Sequence, residues 1–346
     1  MMKKIIVPII AAAAVAGVLF LAGRLLEPKY MHGIVEGALT AEYYEEELPH
    51  DVIFIGDCEV YENFSPMTLW EEYGITSYIR GSAQQLIWQS YYLLRDALRT
   101  EKPKAVVFNV LSMKYGEPQK EAYNRMTIDG MRMSRDKVDC IKASMTEDEQ
   151  MLDYLIPLLR YHSRWSELTA DDVKYMFRRD KIGHNGYYMR TDVKPAGTFP
   201  KEKKLSTYDL PANAYKYLDM ITSLCEEEGI ELILIKAPSL YPAWYDEWDV
   251  QMKDYAAEHG LKYINFLELT EDVGIDFNED TYDGGLHLNV YGAEKMSRYF
   301  GRILKDECSV PDRRGEENYE KVYKEKLDRY YDMRNDPDAM GLYKSR

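Results

Sequence analysis

Residues 51–57 read DVIFIGD, a compact β-branched run that stops at a glycine and hands an acid to the cysteine at position 58. A run of this kind, closed by glycine, predicts a short buried strand. SYIRG (77–81) is a second such run, and PKAVVFNVLSM (103–113) is a third, apolar nearly throughout. Between the first two, SPMTLWEEYG (65–74) offers Ser65 as an N-cap, Pro66 at the first helical position and Gly74 as a stop. Residues 83–100 then carry Leu86, Ile87, Tyr91, Leu94 and Leu98 at helical spacing.

The alternation resumes downstream: helix at 212–229, strand at 230–238 (IELILIKAP), helix at 245–260, strand at 261–269 (LKYINFLEL) and a last helix at 289–307. Strands alternating with helices predict an α/β domain built on a mostly parallel sheet covered on both faces. Residues 114–206 do not fit that repeat. They hold helical stretches and then a glycine- and proline-bearing segment (182–204), and read as an inserted helical lid beside the sheet. The charged, tyrosine-bearing end, 311–346, predicts an exposed helix and a loose tail.

Ile5 to Gly23 runs nineteen residues without a charge behind Lys3 and Lys4. As a helix it spans roughly 28 Å, the thickness of a hydrocarbon layer. A cleaved signal peptide is the competing reading, but no clean small-x-small site follows Leu19, Phe20 and Leu21, which favours an uncleaved anchor over residues 1–30. The flanking charges, Lys3 and Lys4 against Arg24 and Lys29, nearly balance. A short basic N-terminus staying in the cytosol then puts the remainder outside the cell membrane.

With 59 acidic against 44 basic side chains the net charge is −15, and no basic stripe is long enough to follow a phosphate backbone, which argues against nucleic acid as a partner. Thirty tyrosines suit either a sugar-binding cleft or a partly buried core. The four cysteines, Cys58, Cys140, Cys225 and Cys308, have neither zinc-site spacing nor the density of a disulfide framework.

Ligand crevices of parallel sheets lie at the carboxyl ends of the strands, where Cys58 falls. There the free N–H groups of a following helix are expected to favour the thiolate. TYDGGLHLNVYG (281–292) brings Asp283, a glycine pair and His287 to the same edge. Thiol, imidazole and carboxylate in that order make a nucleophile, its base and the base's orienting acid. Taken singly, each residue has a plainer reading: a packed cysteine, a loop histidine, a turn-forming aspartate.

IGDC near the start and DGGLHLNVYGAEKMS near the end together resemble the SGNH/GDSL hydrolase superfamily, above all its membrane-anchored extracytoplasmic branch of DltD-like and alginate-acetylation-like proteins. The resemblance covers about residues 50–110 and 210–305. It implies a three-layer, flavodoxin-like five-stranded sheet, with Cys58 at the position of the family's serine nucleophile, His287 as base and Asp283 as orienting acid. It also implies oxyanion donors at the N–H groups of Cys58 and Gly81, with Asn109 the nearest counterpart of the family's asparagine, and requires no metal or organic cofactor. The step from Asp283 to His287 is one residue longer than the family's, a difference that Gly284 and Gly285 can absorb. The expected activity is an acyl esterase or O-acyltransferase acting on an acylated glycan of the envelope or a secreted polysaccharide, or on a small ester. A multi-spanning acyltransferase is the expected partner of a transfer reaction. The rival reading is a non-catalytic SGNH-like scaffold that binds a glycan or such an acyltransferase.

Overall fold

The computed structural model describes residues 2–27, 37–177 and 181–336. Five strands, β1 (Val52–Gly56), β2 (Ser77–Gly81), β3 (Ala105–Asn109), β4 (Glu231–Lys236) and β5 (Lys262–Asn265), form one sheet in the order β2-β1-β3-β4-β5, every pair parallel. This is the flavodoxin-like doubly wound order, and its direction reverses between β1 and β3, where such sheets open a crevice. The α/β expectation therefore holds, with the last strand shorter than the sequence suggests.

Both faces of the sheet are covered, and period-two alternation assigns side chains to each. Ile53, Ile55, Val106, Phe108, Leu232 and Leu234 pack with the helices Ile87–Ala97 and Ala212–Glu228. Val52, Phe54, Val107, Ile233 and Ile235 pack with Pro66–Tyr73 and Val290–Asp306. Since β1 is buried on both sides, its sequence is continuously apolar rather than alternating. Ser65 caps its helix as its residue type predicts, accepting from the N–H of Thr68 at 3.2 Å.

The C-terminal helix, Glu317–Asn335, departs from the exposed helix expected of its charge. Tyr319, Tyr323, Tyr330 and Met333 are buried on the second face, and the Tyr323 ring stacks on Trp70 with centroids 4.2 Å apart. The tyrosines supply apolar bodies for packing, and their spacing within a charged segment masks an amphipathic stripe. Lys29 and the expected loose end, 337–346, lie outside the described residues.

Part of the 114–206 insertion covers the outer edge of β2. The Ile79 N–H donates to the Asn185 carbonyl at 2.9 Å, and Asn185 Nδ2 donates to the Ser77 carbonyl at 2.9 Å. Residues 190–196 then run beside the loop that precedes Val290–Asp306, with Val290 N–H donating to Arg190 O at 2.7 Å and Lys194 N–H to Thr281 O at 2.9 Å.

Gly56 ends β1 with φ +150°, and an added Cβ there would stand 2.5 Å from Val60 Cγ2 and 3.1 Å from Asn109 Cβ. Gly56→Ala is expected to destabilise the domain by about 1–3 kcal/mol from backbone strain alone, read as a lower denaturant midpoint.

Candidate active site

Cys58 begins a four-residue helix, Cys58–Tyr61, directly after β1. Asp57 caps it, accepting from the Glu59 N–H at 3.2 Å. Beneath the turn lies a buried polar network. Asn109 Nδ2 donates to Asp57 Oδ1 at 3.1 Å and to Glu59 Oε2 at 3.0 Å, while its Oδ1 accepts from the Ala237 N–H at 3.0 Å. Lys236, at the end of β4, bonds Glu59 Oε2 at 2.8 Å and the Ala237 carbonyl at 2.7 Å. Burial and the neighbouring Glu59 push Asp57 up to about 6.

His287 reaches this turn from the other end of the domain. Asp283 Oδ1 accepts the N–H groups of Leu286 at 3.2 Å and His287 at 2.9 Å, and its Oδ2 holds His287 Nδ1 at 2.7 Å. Gly284 and Gly285, at φ +91° and +104°, let the chain fold back far enough for one carboxylate to make all three contacts. With Nδ1 held by Asp283, His287 stands close enough to Cys58 for the imidazole and the thiol to shift one another's protonation. Thiol, imidazole and carboxylate thus meet at the carboxyl edge of the sheet.

Sequence reasoning missed a second carboxylate. Glu62 Oε2 lies 3.0 Å from His287 Nδ1 and accepts from the Tyr282 hydroxyl at 2.9 Å. The Tyr282 ring stacks against the imidazole, and the Arg190 guanidinium sits 4.4 Å over the other ring in the stack, Tyr282 itself. The signal was present, because Glu62 is four residues after Cys58 and so one helical turn away in DCEVYE.

The electrostatics correct the expectation of a thiolate favoured by a helix end. Burial pushes the Cys58 thiol above its ordinary range; His287 draws it down, while Asp57 and Glu62 push it up further. A single turn that Asp57 already caps has little field to spare for the sulfur. Burial opposes the charge on His287, but Glu62, Cys58 and Asp283 together hold its proton well above the usual histidine range. Burial raises Glu62, and Asp283 is lowered despite burial by its bonds from His287. The charge of Cys58 is itself one of the groups that hold the proton on His287, so thiol and ring titrate as a pair.

Gly81 closes β2 opposite Gly56, where an added Cβ would meet the Gly56 carbonyl at 3.1 Å and the Asp57 carbonyl at 3.4 Å. Asn109, by contrast, has both amide hydrogens committed to Asp57 and Glu59, so it braces the turn instead of facing an oxyanion. All four cysteines are free. Cys140, Cys225 and Cys308 are buried, each with its thiol pushed up to about 12 by burial.

No protein-family profile and no curated protein sequence matches the chain. Among solved structures, the chain is similar to one described as a lipolytic protein of the G-D-S-L family from Desulfitobacterium hafniense DCB-2, at 16% identity and TM-score 0.36, covering 73% of this chain and 98% of that one. It is similar also to a GDSL-like lipase from Bacteroides thetaiotaomicron VPI-5482, at 11% identity and TM-score 0.37, covering 77% of this chain and 95% of that one. Likeness of this degree leaves the reading of the site to its own geometry.

Removing the Glu62 charge makes deprotonation easier at both His287 and Cys58. In Glu62→Gln, the pH midpoint for iodoacetamide alkylation of Cys58 is expected to fall by roughly one unit, measured by mass spectrometry of the peptide containing Cys58.

Proposed function

We propose that this chain is a membrane-anchored, extracytoplasmic acyl esterase or O-acyltransferase of SGNH type, working through Cys58, His287 and Asp283. The observation that carries this reading is the bond of Asp283 to His287 beside the Cys58 thiol, three groups assembled from opposite ends of the domain at the sheet's crevice. In the reaction, the Cys58 thiolate attacks the acyl carbonyl carbon and an S–C bond forms. The C–O bond to the leaving alkoxide breaks as the His287 imidazolium gives it a proton, and a thioester remains. His287 then takes a proton from water or from a second hydroxyl, whose oxygen attacks the thioester and releases the thiolate. Backbone N–H groups of Cys58 and Gly81 would hold the oxyanion, and Asp283 keeps the proton-bearing Nδ1 oriented.

The substrate class proposed is an acetylated glycan of the envelope or a secreted polysaccharide, with a multi-spanning acyltransferase as partner if the thioester is passed on. One observation favours the rival reading of a glycan-binding scaffold without catalysis: burial raises the thiol rather than lowering it. Turnover separates the two.

Cys58→Ala and His287→Ala are each expected to lower hydrolysis of p-nitrophenyl acetate by about 100-fold or more, with unchanged thermal unfolding. Turnover that survives both substitutions would reject the catalytic reading.

A further inference from the structure

The insertion carries a second feature that the site does not use. From Ile6 to Leu21 the N-terminal helix is exposed, standing apart from the other described residues, and Ile6–Leu26 is long and apolar enough to cross a membrane. Its last turn is different. Residues 22–27 are half-buried against the short helices Pro157–Tyr161 and Ala170–Phe177. Gly23 faces Leu158, Arg24 donates to the Met176 carbonyl at 3.2 Å, and Arg164 donates to the Leu26 carbonyl at 2.7 Å.

Around that docked turn the same helices expose large apolar side chains. Leu152, Ile156 and Leu159 are about half exposed, as is Val173, and Phe177, one turn after Val173, is 79% exposed. Trp165 is 73% exposed, whereas the other four tryptophans, Trp70, Trp88, Trp244 and Trp248, are each 8% exposed or less. A water-facing collar of this kind carries a solvation cost with no packing to offset it.

We infer that residues 151–177 form a collar lying in the headgroup and acyl boundary of the outer leaflet, where the spanning helix leaves the bilayer. The occupant is lipid rather than a protein because the apolar collar is continuous with the helix that enters the hydrocarbon. Short amphipathic helices bearing tryptophan and phenylalanine beside arginine and lysine are the usual residents of that layer. The collar rests on the reading of Ile6–Leu26 as an uncleaved span. It adds that the catalytic domain is held at a fixed height and orientation, because the last turn of the span is docked directly on the insertion. The insertion that reaches the bilayer also delivers residues 190–196 to the His287 loop, so the crevice would face substrates near the membrane surface.

The test uses the full chain in phosphatidylcholine nanodiscs, with and without a lipid bearing a shallow doxyl label. Incorporation, read by size-exclusion chromatography, reports on the span independently of the collar. The inference expects the Trp165 share of the emission, obtained by difference from Trp165→Phe, to be lost on doxyl labelling and protected from aqueous iodide. A tryptophan placed by Phe177→Trp in the Trp165→Phe background should behave in the same way. Incorporation with Trp165 open to iodide overturns the collar and leaves the anchor standing. Incorporation with Trp165 shielded from both quenchers assigns the patch to a protein partner or a second copy and also overturns it. Failure to incorporate removes the anchor, and the collar with it.

Discussion

The ammonium of Lys236 and the carboxylate of Glu59, 2.8 Å apart and both withdrawn from water, hold the carboxyl edge of the sheet together. Taking two charges out of water is costly, and the pair is stable only because the surrounding bonds complete it. Asn109 and the Ala237 carbonyl supply those bonds, so the ends of β1, β3 and β4 are joined through one polar knot. Breaking such a knot from one side leaves an uncompensated buried charge, which typically costs about 3–5 kcal/mol. The turn bearing Cys58 is therefore set by the sheet beneath it, and its sulfur is delivered to a fixed place.

Negative charge governs what happens at that place. Asp57, Glu62 and Asp283 stand around one imidazole and one thiol, and His287 is the group that most draws the thiol down. A thiol in this setting does not ionise freely, as it would at an open helix end. Its ionisation depends on the proton balance of the pair, because the Glu62 charge raises the thiol and the ring alike. Two carboxylates on Nδ1 also divide the labour. Asp283 is bound to the backbone of its own loop and positions the ring, while Glu62 belongs to the turn that bears Cys58 and meets the ring from there.

The insertion ties this chemistry to the rest of the chain. One part pairs with the edge of β2, which would otherwise present unpaired backbone groups. Another runs along the His287 loop, where Phe199 and Leu240 stand close to Gly285. The C-terminal helix closes the opposite face through Trp70 and Tyr323. Segments that lie outside the strand and helix repeat thus finish the domain's edge, its loop and its second face.

Much of this was legible in the sequence, because it depends on local rules. Glycine-closed β-branched runs and helical spacing were enough for the parallel sheet, and Ser65 with Pro66 was enough for a helix start. GDC and DGGLH lie beside strand ends and helix starts that local pattern locates, so Cys58, Asp283 and His287 could be named without coordinates. The burial of the C-terminal tyrosines, the commitment of Asn109 to Asp57 and Glu59, and the place of Glu62 beside His287 could not. Each depends on which distant groups share a site, and so does the raised thiol, since charge and solvation are set by neighbours in space. The order of residues determined the strands, the helices and which thiol, imidazole and carboxylate fall at the sheet's edge; only the tertiary structure decided how much water and how much negative charge each of them meets.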